Sequence, residues 1–181
     1  PDANTQQGTH ESVFCARPSL KAYQASSWSE MKDYYRPEDV IRAAGIMLEC
    51  ADSFRGNNNF EYDLVDVVRQ AVAEKGRLVY PVVVAAFKSG DIELFESASR
   101  RFLELIMLQD ELLATRPEFK VGSWIESARR LGKTEDEKSL YEWNARVQIT
   151  TWGNRTAADN GGLRDYAHKE WNGILKDFYY K

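Results

Sequence analysis

The stretch DIELFESASRRFLELIMLQDELLAT, residues 91–115, decides the fold class of this chain. Its apolar residues recur three and four positions apart, which is the spacing of one face of an α-helix. Asp91, the first residue of the stretch, is a predicted N-cap, and Pro117 follows the stretch as a predicted stop. This face is the most apolar in the chain and consists of Phe95, Phe102, Leu105, Ile106, Leu112 and Leu113. The pattern predicts a long, half-buried helix against which the other elements pack.

The preceding segment predicts a second long helix over residues 60–88. Its middle, LVYPVVV at residues 78–84, also fits a buried strand because it is rich in β-branched residues. No second strand pattern exists for it to pair with, so we expect a helix that bends near Pro81. The helical spacing is set by Leu64, Val65, Val68, Ala71 and Val72.

Earlier in the chain, Pro37 followed by Glu38 and Asp39 predicts the start of a helix that runs to about residue 52. Its expected inner face consists of Val40, Ile41, Ala44, Met47 and Leu48. The first 36 residues are polar and aperiodic, which predicts a loop that leads into the helical domain. We therefore expect a leading segment over residues 1–36 and a helical domain over residues 37–181.

After the long helices, the pattern predicts a short helix over residues 123–131 and another over residues 134–151. Thr134 and Glu137 form a capping box for the latter. Residues 152–162 are rich in Gly and Asn and predict a loop. A last helix is expected from Leu163, with an apolar stripe of Leu163, Tyr166, Ala167, Ile174, Leu175 and Phe178. The fold class is therefore predicted as an all-α bundle of about six helices with an N-terminal loop.

Composition excludes several classes of protein. The chain has 181 residues, enough for one domain, and a formal net charge of -4, which disfavours nucleic acid as a partner. No uncharged apolar run approaches the roughly 20 residues of a membrane span. Cys15 and Cys50 form no zinc pattern, and whether they pair is left open. We expect no metal and no cofactor.

The residues alone assemble no self-sufficient active site. His10 and His168 lie in no metal-ligand motif, and there is no phosphate-binding glycine motif. The most suggestive feature is the loop over residues 152–162, which begins at Trp152 and is followed by Tyr166. Loops held between rigid helices are common binding sites. Equally, Trp152 could cap the bundle and Tyr166 could pack within it.

Five segments, in order, carry a resemblance to a known family. The chain resembles the C-terminal helical region of the α-N-acetylglucosaminidases, a family of glycoside hydrolases, over almost its whole length. The segments are ARPSL at 16–20, FEYDLVDVVRQAV at 60–72, GSWIESAR at 122–129, YEWNARVQITTWG at 141–153 and LRDYAHKEWNGILKDFYY at 163–180.

The resemblance implies an accessory domain of a multidomain exo-hydrolase that removes terminal, non-reducing α-linked N-acetylglucosamine. The parent would contain a (β/α)8-barrel and use a retaining mechanism with two carboxyl groups. Both catalytic glutamates of the family lie in the barrel, upstream of this region. Glu11, Glu142 and Glu170 are therefore not expected to be catalytic, and the fragment alone is expected to be inactive.

The same resemblance implies three substrate-binding residues, which are Trp152, Leu163 and Tyr166. They would line one wall of the sugar pocket beside the barrel, with Trp152 giving an apolar face and Tyr166 a hydroxyl partner. Asn144 and Arg146 also match the family and are expected to hold the helix that presents Trp152. The loop over residues 154–162 departs from the human form, because it is longer and lacks a proline.

The expected partners are the barrel of the same chain and the terminal sugar of a glycan. The first residues resemble bacterial members, which implies a secreted or periplasmic protein acting on mucin-type or glycosaminoglycan glycans; an animal source would imply a lysosomal one. We also expect the bundle to be truncated at both ends. The alternative hypothesis is an independent glycan-binding or protein-interaction module without a catalytic role.

Overall fold

The computed structural model describes residues 12–16, 20, 35–154, 156 and 167–181. Over these residues the chain forms five α-helices, three short 3-10 turns and a π-helical turn. The helices are α1 (Pro37–Cys50), α2 (Asn58–Ser89), α3 (Ile92–Ala114), α4 (Val121–Arg129) and α5 (Glu135–Gln148). The 3-10 turns span Val13–Cys15, Ala51–Phe54 and Pro117–Phe119, and the π-turn spans Leu175–Tyr179. The all-α prediction is confirmed.

Helices α2 and α3 form a hairpin that makes up the centre of the domain, with α1 packed on α2. Gly90 ends α2 in the left-handed conformation, and the Asp91 side chain accepts a hydrogen bond from the Leu94 N–H at 3.0 Å. Pro81 lies inside α2, so residues 78–84 are helical as predicted. A second hairpin is formed by α4 and α5 and is followed by Trp152, while most of the predicted loop over residues 152–162 lies outside the described residues.

The core lies between α2, α3 and the two chain ends. The face of α3 that the sequence predicts is buried at Leu105, Ile106 and Leu113. The 3-10 turn Val13–Cys15, which is completely buried, was not expected from the sequence, whereas Leu175 of the π-turn belongs to the predicted apolar stripe and is buried as expected. Residues of the predicted leading segment are thus part of the helical core. The boundary at residue 36 stays a prediction.

The predicted inner face of α1 is wrong at two positions. Ile41 is 37% exposed and Leu48 is 54% exposed, whereas Ala44 is buried. Among the described helices, α1 packs mainly on α2, and most residues on its other faces are exposed. The apolar stripe of α1 in the sequence is therefore wider than the face that α1 buries against α2.

The predicted last helix is wrong over residues 167–173, a segment that we call the strap. His168 and Gly173 have positive φ angles of 46° and 94°, and a parallel β-bridge joins Asn172 to Lys120. Helical geometry begins only at Ile174. The strap is held instead by side chains of α3, which the apolar spacing of residues 163–178 does not reveal.

Candidate functional site

Trp152 lies just beyond the C-terminus of α5, in a backbone conformation that is unusual for its residue type. Its φ angle is 62°, in the left-handed region, and its N–H donates to the Val147 carbonyl oxygen at 2.7 Å. The residue is 41% exposed. An L-residue other than glycine pays about 1–2 kcal/mol for this conformation. The turn therefore holds a large aromatic side chain at the surface at a cost in backbone strain.

Helix α5, which presents Trp152, is fixed at both ends and along its side. Thr134 and Glu137 form the predicted capping box at its N-terminus. Trp124 of α4 donates its indole N–H to the Ala145 carbonyl oxygen at 3.0 Å. Through these contacts α4 and α5 form one unit, so a shift of α4 is transmitted to α5.

An ion-pair network lies on the same pair of helices. The Glu142 carboxylate accepts from Arg129 of α4 and from Arg146 of α5, at 2.7 Å for the latter. These hydrogen bonds, and the charges of the two guanidinium groups, hold the pKa of Glu142 below its usual range. The Arg146 contact lies within α5, so the expectation that Arg146 holds this helix stays a prediction. Asn144 is exposed and lines a shallow groove between α4 and α5.

The strap is anchored to two consecutive polar residues of α3, Gln109 and Asp110, both of which are buried. The Asp110 carboxylate accepts hydrogen bonds from the Gly173 N–H and the Asn172 side-chain amide, each at 2.7 Å. It also accepts from the Lys176 N–H at 3.2 Å. Asp110 thus caps the start of the C-terminal turn from a neighbouring helix.

The second anchoring contact joins Glu170 of the strap to Gln109 of α3, and Glu170 is only 8% exposed. Burial raises the pKa of its carboxyl group, although hydrogen bonds with Ser12 and Gln109 and the charge of Arg69 oppose the rise. Oε1 of Glu170 and Oε1 of Gln109 are both buried and accept no hydrogen bond within the described residues. A proton on Glu170 would supply a donor to this cluster.

The strap in turn contacts the start of α4. The Asn172 N–H donates to the Phe119 carbonyl oxygen at 2.8 Å, and the Val121 N–H donates to the Asn172 carbonyl oxygen at 3.1 Å. The Trp171 ring lies 6.2 Å from the Trp124 ring, centroid to centroid. A Cβ atom at position 173 would lie 2.7 Å from Val121 Cγ1, which together with its positive φ favours glycine there.

Of the three predicted substrate-binding residues, the structure places one. Trp152 is in the surface turn, whereas Leu163 and Tyr166 lie outside the described residues. Whether the three come together therefore stays a prediction. Cys15 is buried, Cys50 is exposed, and no disulfide joins them.

Two other cavities occur among the described residues. One, of about 370 Å³, is lined almost entirely by apolar and aromatic side chains of α2, α3 and the chain ends. Sugar recognition requires several converging polar groups, so this cavity does not fit a glycan. The groove between α4 and α5, of about 330 Å³, is shallow and lies beside Trp124. Among the described residues no cluster of metal-ligating side chains occurs, and no helix has the length and apolar character to cross a membrane.

The whole chain, residues 1–181, matches the sequence model described as the alpha-N-acetylglucosaminidase (NAGLU) C-terminal domain. The chain belongs to this family. Human alpha-N-acetylglucosaminidase is 34% identical over 174 residues, which is 96% of this chain and 22% of the human protein. This confirms the resemblance inferred from the five sequence segments.

Solved structures of family 89 glycoside hydrolase from Clostridium perfringens share the fold of this alpha-N-acetylglucosaminidase C-terminal domain. The complex with PUGNAc is 41% identical with a TM-score of 0.92, covering 97% of this chain and 20% of that one. The same values hold for a variant with two glutamates replaced by glutamine, in complex with its substrate GlcNAc-alpha-1,4-galactose. The chain therefore spans about a fifth of the length of these relatives.

Sequence reasoning missed the polar residues that hold the strap in place. Asp110 and Gln109 sit in a stretch that reads as an apolar helix, and Glu170 and Asn172 sit in one that reads as amphipathic. The available signal was the run of three polar residues, Gln109, Asp110 and Glu111, between Leu108 and Leu112. Buried polar groups require partners, so such a run predicts a hydrogen-bonded element packed against the helix.

Proposed function

We propose that the protein to which this domain belongs hydrolyses terminal, non-reducing α-linked N-acetylglucosamine, and that the domain completes one wall of its sugar pocket. Family membership supports the reaction class, because the relatives include an alpha-N-acetylglucosaminidase and a hydrolase bound to GlcNAc-alpha-1,4-galactose. The observation that carries the role of the domain is the exposed, left-handed Trp152 at the end of α5.

The strain at Trp152 supports a binding role. Non-glycine residues in the left-handed region persist where the surrounding structure over-determines them, and they cluster at binding and active sites. Gly153 follows directly and could adopt a left-handed conformation without this cost in backbone strain, yet Trp152 is the residue that adopts it. A large aromatic side chain kept at the surface under these conditions offers an apolar face to the C–H bonds of a sugar ring.

Leu163 and Tyr166 complete the proposed wall. The resemblance to the family assigns them to the same pocket, Leu163 as an apolar contact and Tyr166 as a hydroxyl that hydrogen-bonds the sugar. They follow Trp152 by 11 and 14 positions (163 − 152 and 166 − 152). The loop between them would therefore present groups from both of its ends to one ligand.

The acid/base chemistry is assigned to another part of the protein. A retaining glycosidase needs two carboxyl groups, one that cycles between acid and base and one that attacks the anomeric carbon. Glu142 is engaged by two arginines with a lowered pKa, which suits a structural anion. Glu170 is buried among Gln109, Arg69 and Ser12, where a sugar has no access. Neither arrangement suits attack on a glycosidic bond.

The catalytic barrel of the same chain is the proposed macromolecular partner, and the terminal sugar of a glycan is the proposed ligand. A secreted or periplasmic location belongs to the same proposal. An independent glycan-binding module remains the competing hypothesis, and the groove between α4 and α5, with its Trp124 and Tyr141 side chains, is the feature that favours it.

The decisive experiment compares the full-length protein with the 181-residue domain on an aryl α-N-acetylglucosaminide. We expect turnover by the full-length protein and none by the domain, since the carboxyl pair lies elsewhere. Robust turnover by the isolated domain would overturn the assignment. Shifts of the Trp124 and Tyr141 signals of the isolated domain at millimolar N-acetylglucosamine would favour the independent binding module instead.

A further inference from the structure

Among the described residues, no arginine or lysine side chain hydrogen-bonds the buried carboxylate of Asp110. It is 4% exposed, and three N–H groups satisfy it, from Asn172, Gly173 and Lys176. Charge-assisted bonds of this kind are short and strong because the acceptor is ionised. A buried carboxylate in the last two turns of α3 is costly unless it is hydrogen-bonded and fixes another segment. What it fixes is the strap.

The strap also links Asp110 to the start of α4. Asn172 is held by its side chain to Asp110 and by its main chain to Phe119 and Val121, on both sides of the β-bridge to Lys120. The neighbouring Trp171 ring packs against Trp124 of α4. The start of α4 is therefore tied to α3 by Asn172 and Trp171, in addition to the chain segment 115–120 that joins the two helices.

Helix α4 then locates α5 and the turn that follows it. The Trp124 indole binds the Ala145 carbonyl oxygen, and Arg129 binds Glu142. The last turn of α5 supplies the Val147 carbonyl oxygen that accepts the Trp152 N–H. Each link is a direct hydrogen bond or ring contact, so the path from Asp110 to Trp152 is continuous.

We propose that Asp110 is a positioning residue for the sugar pocket, acting on Trp152 through the strap and the α4–α5 hairpin. This inference rests on the proposed pocket role of Trp152. Asp110 itself is buried in the core and does not touch the sugar. Misplacement of a binding group by about 1 Å can lower turnover as much as 100-fold, so a remote anchor can have a measurable effect.

The test uses the full-length hydrolase and the substitution Asp110→Asn. The new amide would place a donor against the donor of Asn172, which loosens the strap. We expect kcat/KM for an aryl α-N-acetylglucosaminide to fall about tenfold. In a Trp152→Ala background the same substitution should cost less than about twofold, because residues that act through one another are not additive.

The matched control is Glu74→Gln, since Glu74 is another buried carboxylate but binds Tyr35, Gln70 and Arg77 instead. It should lower the thermal midpoint and leave kcat/KM within about twofold. If Asp110→Asn does not fold, Asn172→Ala breaks the same contact from the strap side and should show the same coupling to Trp152.

The outcomes separate the two proposals. If Trp152→Ala itself leaves kcat/KM unchanged, the pocket role of Trp152 is wrong. If Trp152→Ala lowers kcat/KM while Asp110→Asn and Asn172→Ala leave it unchanged, only the positioning role is overturned. The positioning role is also overturned if the losses from Asp110→Asn and Trp152→Ala multiply, or if Glu74→Gln lowers kcat/KM as much as Asp110→Asn.

Discussion

The ring of Phe14 occupies the place where a Cβ atom on Gly76 would lie. Phe14 belongs to the 3-10 turn near the N-terminus, and Gly76 lies in the middle of α2. Glycine in a helix interior costs about 0.5–1 kcal/mol relative to alanine, so its presence needs a packing reason. That reason is the passage of the N-terminal turn across α2 and into the core.

The first prediction follows from this contact. Gly76→Ala should destabilise the 181-residue chain by about 1–3 kcal/mol, because the added methyl group overpacks the site. Gly45→Ala in α1 is the control, since a Cβ there meets nothing within 4 Å. It should be neutral or stabilise by up to about 1 kcal/mol. Urea unfolding of both variants checks this, and equal effects at the two glycines would contradict the packing argument.

The second prediction concerns Glu170, whose pKa burial raises above its ordinary value of 4.5. The folded state therefore holds its proton more tightly than the unfolded chain. The stability that this contributes is complete below the unfolded pKa and is lost as pH rises through the folded pKa. The stability of the wild type relative to Glu170→Gln should thus decline with rising pH. Unfolding free energies of both proteins, measured at a series of pH values from below 4.5 upward, test this prediction. If the difference between the two proteins does not vary with pH, the pKa of Glu170 is not raised.

The third prediction is that Glu142 affects the pH dependence of stability with the opposite sign to Glu170. Arg129 and Arg146 lower the pKa of Glu142 from the ordinary value of 4.5. Its contribution to stability is therefore present above the unfolded pKa and is lost as pH falls through the folded pKa. The wild type should therefore be more stable than Glu142→Gln near neutral pH, and this difference in unfolding free energy should disappear as the pH falls below 4.5 and through the lowered pKa. The same pH series on this variant provides the measurement, and an advantage that grows toward acid would contradict the ion-pair assignment.

The fourth prediction tests the strain at Trp152. Trp152→Gly should leave the 181-residue chain more stable than Trp152→Ala, by about 1–2 kcal/mol, because only glycine adopts the positive φ without penalty. The comparison removes the same ring in both variants, so lost contacts cancel. Chemical denaturation decides between them. Were the alanine variant the more stable, the turn would not be strained.

Local rules in the sequence predicted most of the helices. The capping box of Thr134 and Glu137, the Asp91 cap and the spacing of Leu105, Ile106 and Leu113 depend on neighbours along the chain, and the structure confirms each of them. The helix through Pro81, which was predicted because the sequence has no partner strand pattern, is also confirmed. Such features are encoded within one or two helical turns.

Long-range contacts were not predictable in the same way. Residues 163–178 have an amphipathic pattern, yet the strap within them is pulled out of helical geometry by Asp110, which lies 62 positions before Asn172. Likewise, nothing near Phe14 in the sequence indicates that it enters the core. Hydrogen bonds between distant segments leave no periodicity, so only the individual polar residues could have hinted at them.

The pocket role of Trp152 is the central claim, and ligand affinity tests it most directly. The probe is 2-acetamido-1,2-dideoxynojirimycin, the ligand found in a complex of the related Clostridium perfringens hydrolase. Calorimetry would compare the full-length protein with its Trp152→Ala variant and with Trp143→Ala, a control that removes a 58% exposed indole from α5. We predict that Kd rises about tenfold or more for Trp152→Ala and stays unchanged for Trp143→Ala. Equal affinity of the wild type and Trp152→Ala would contradict the account.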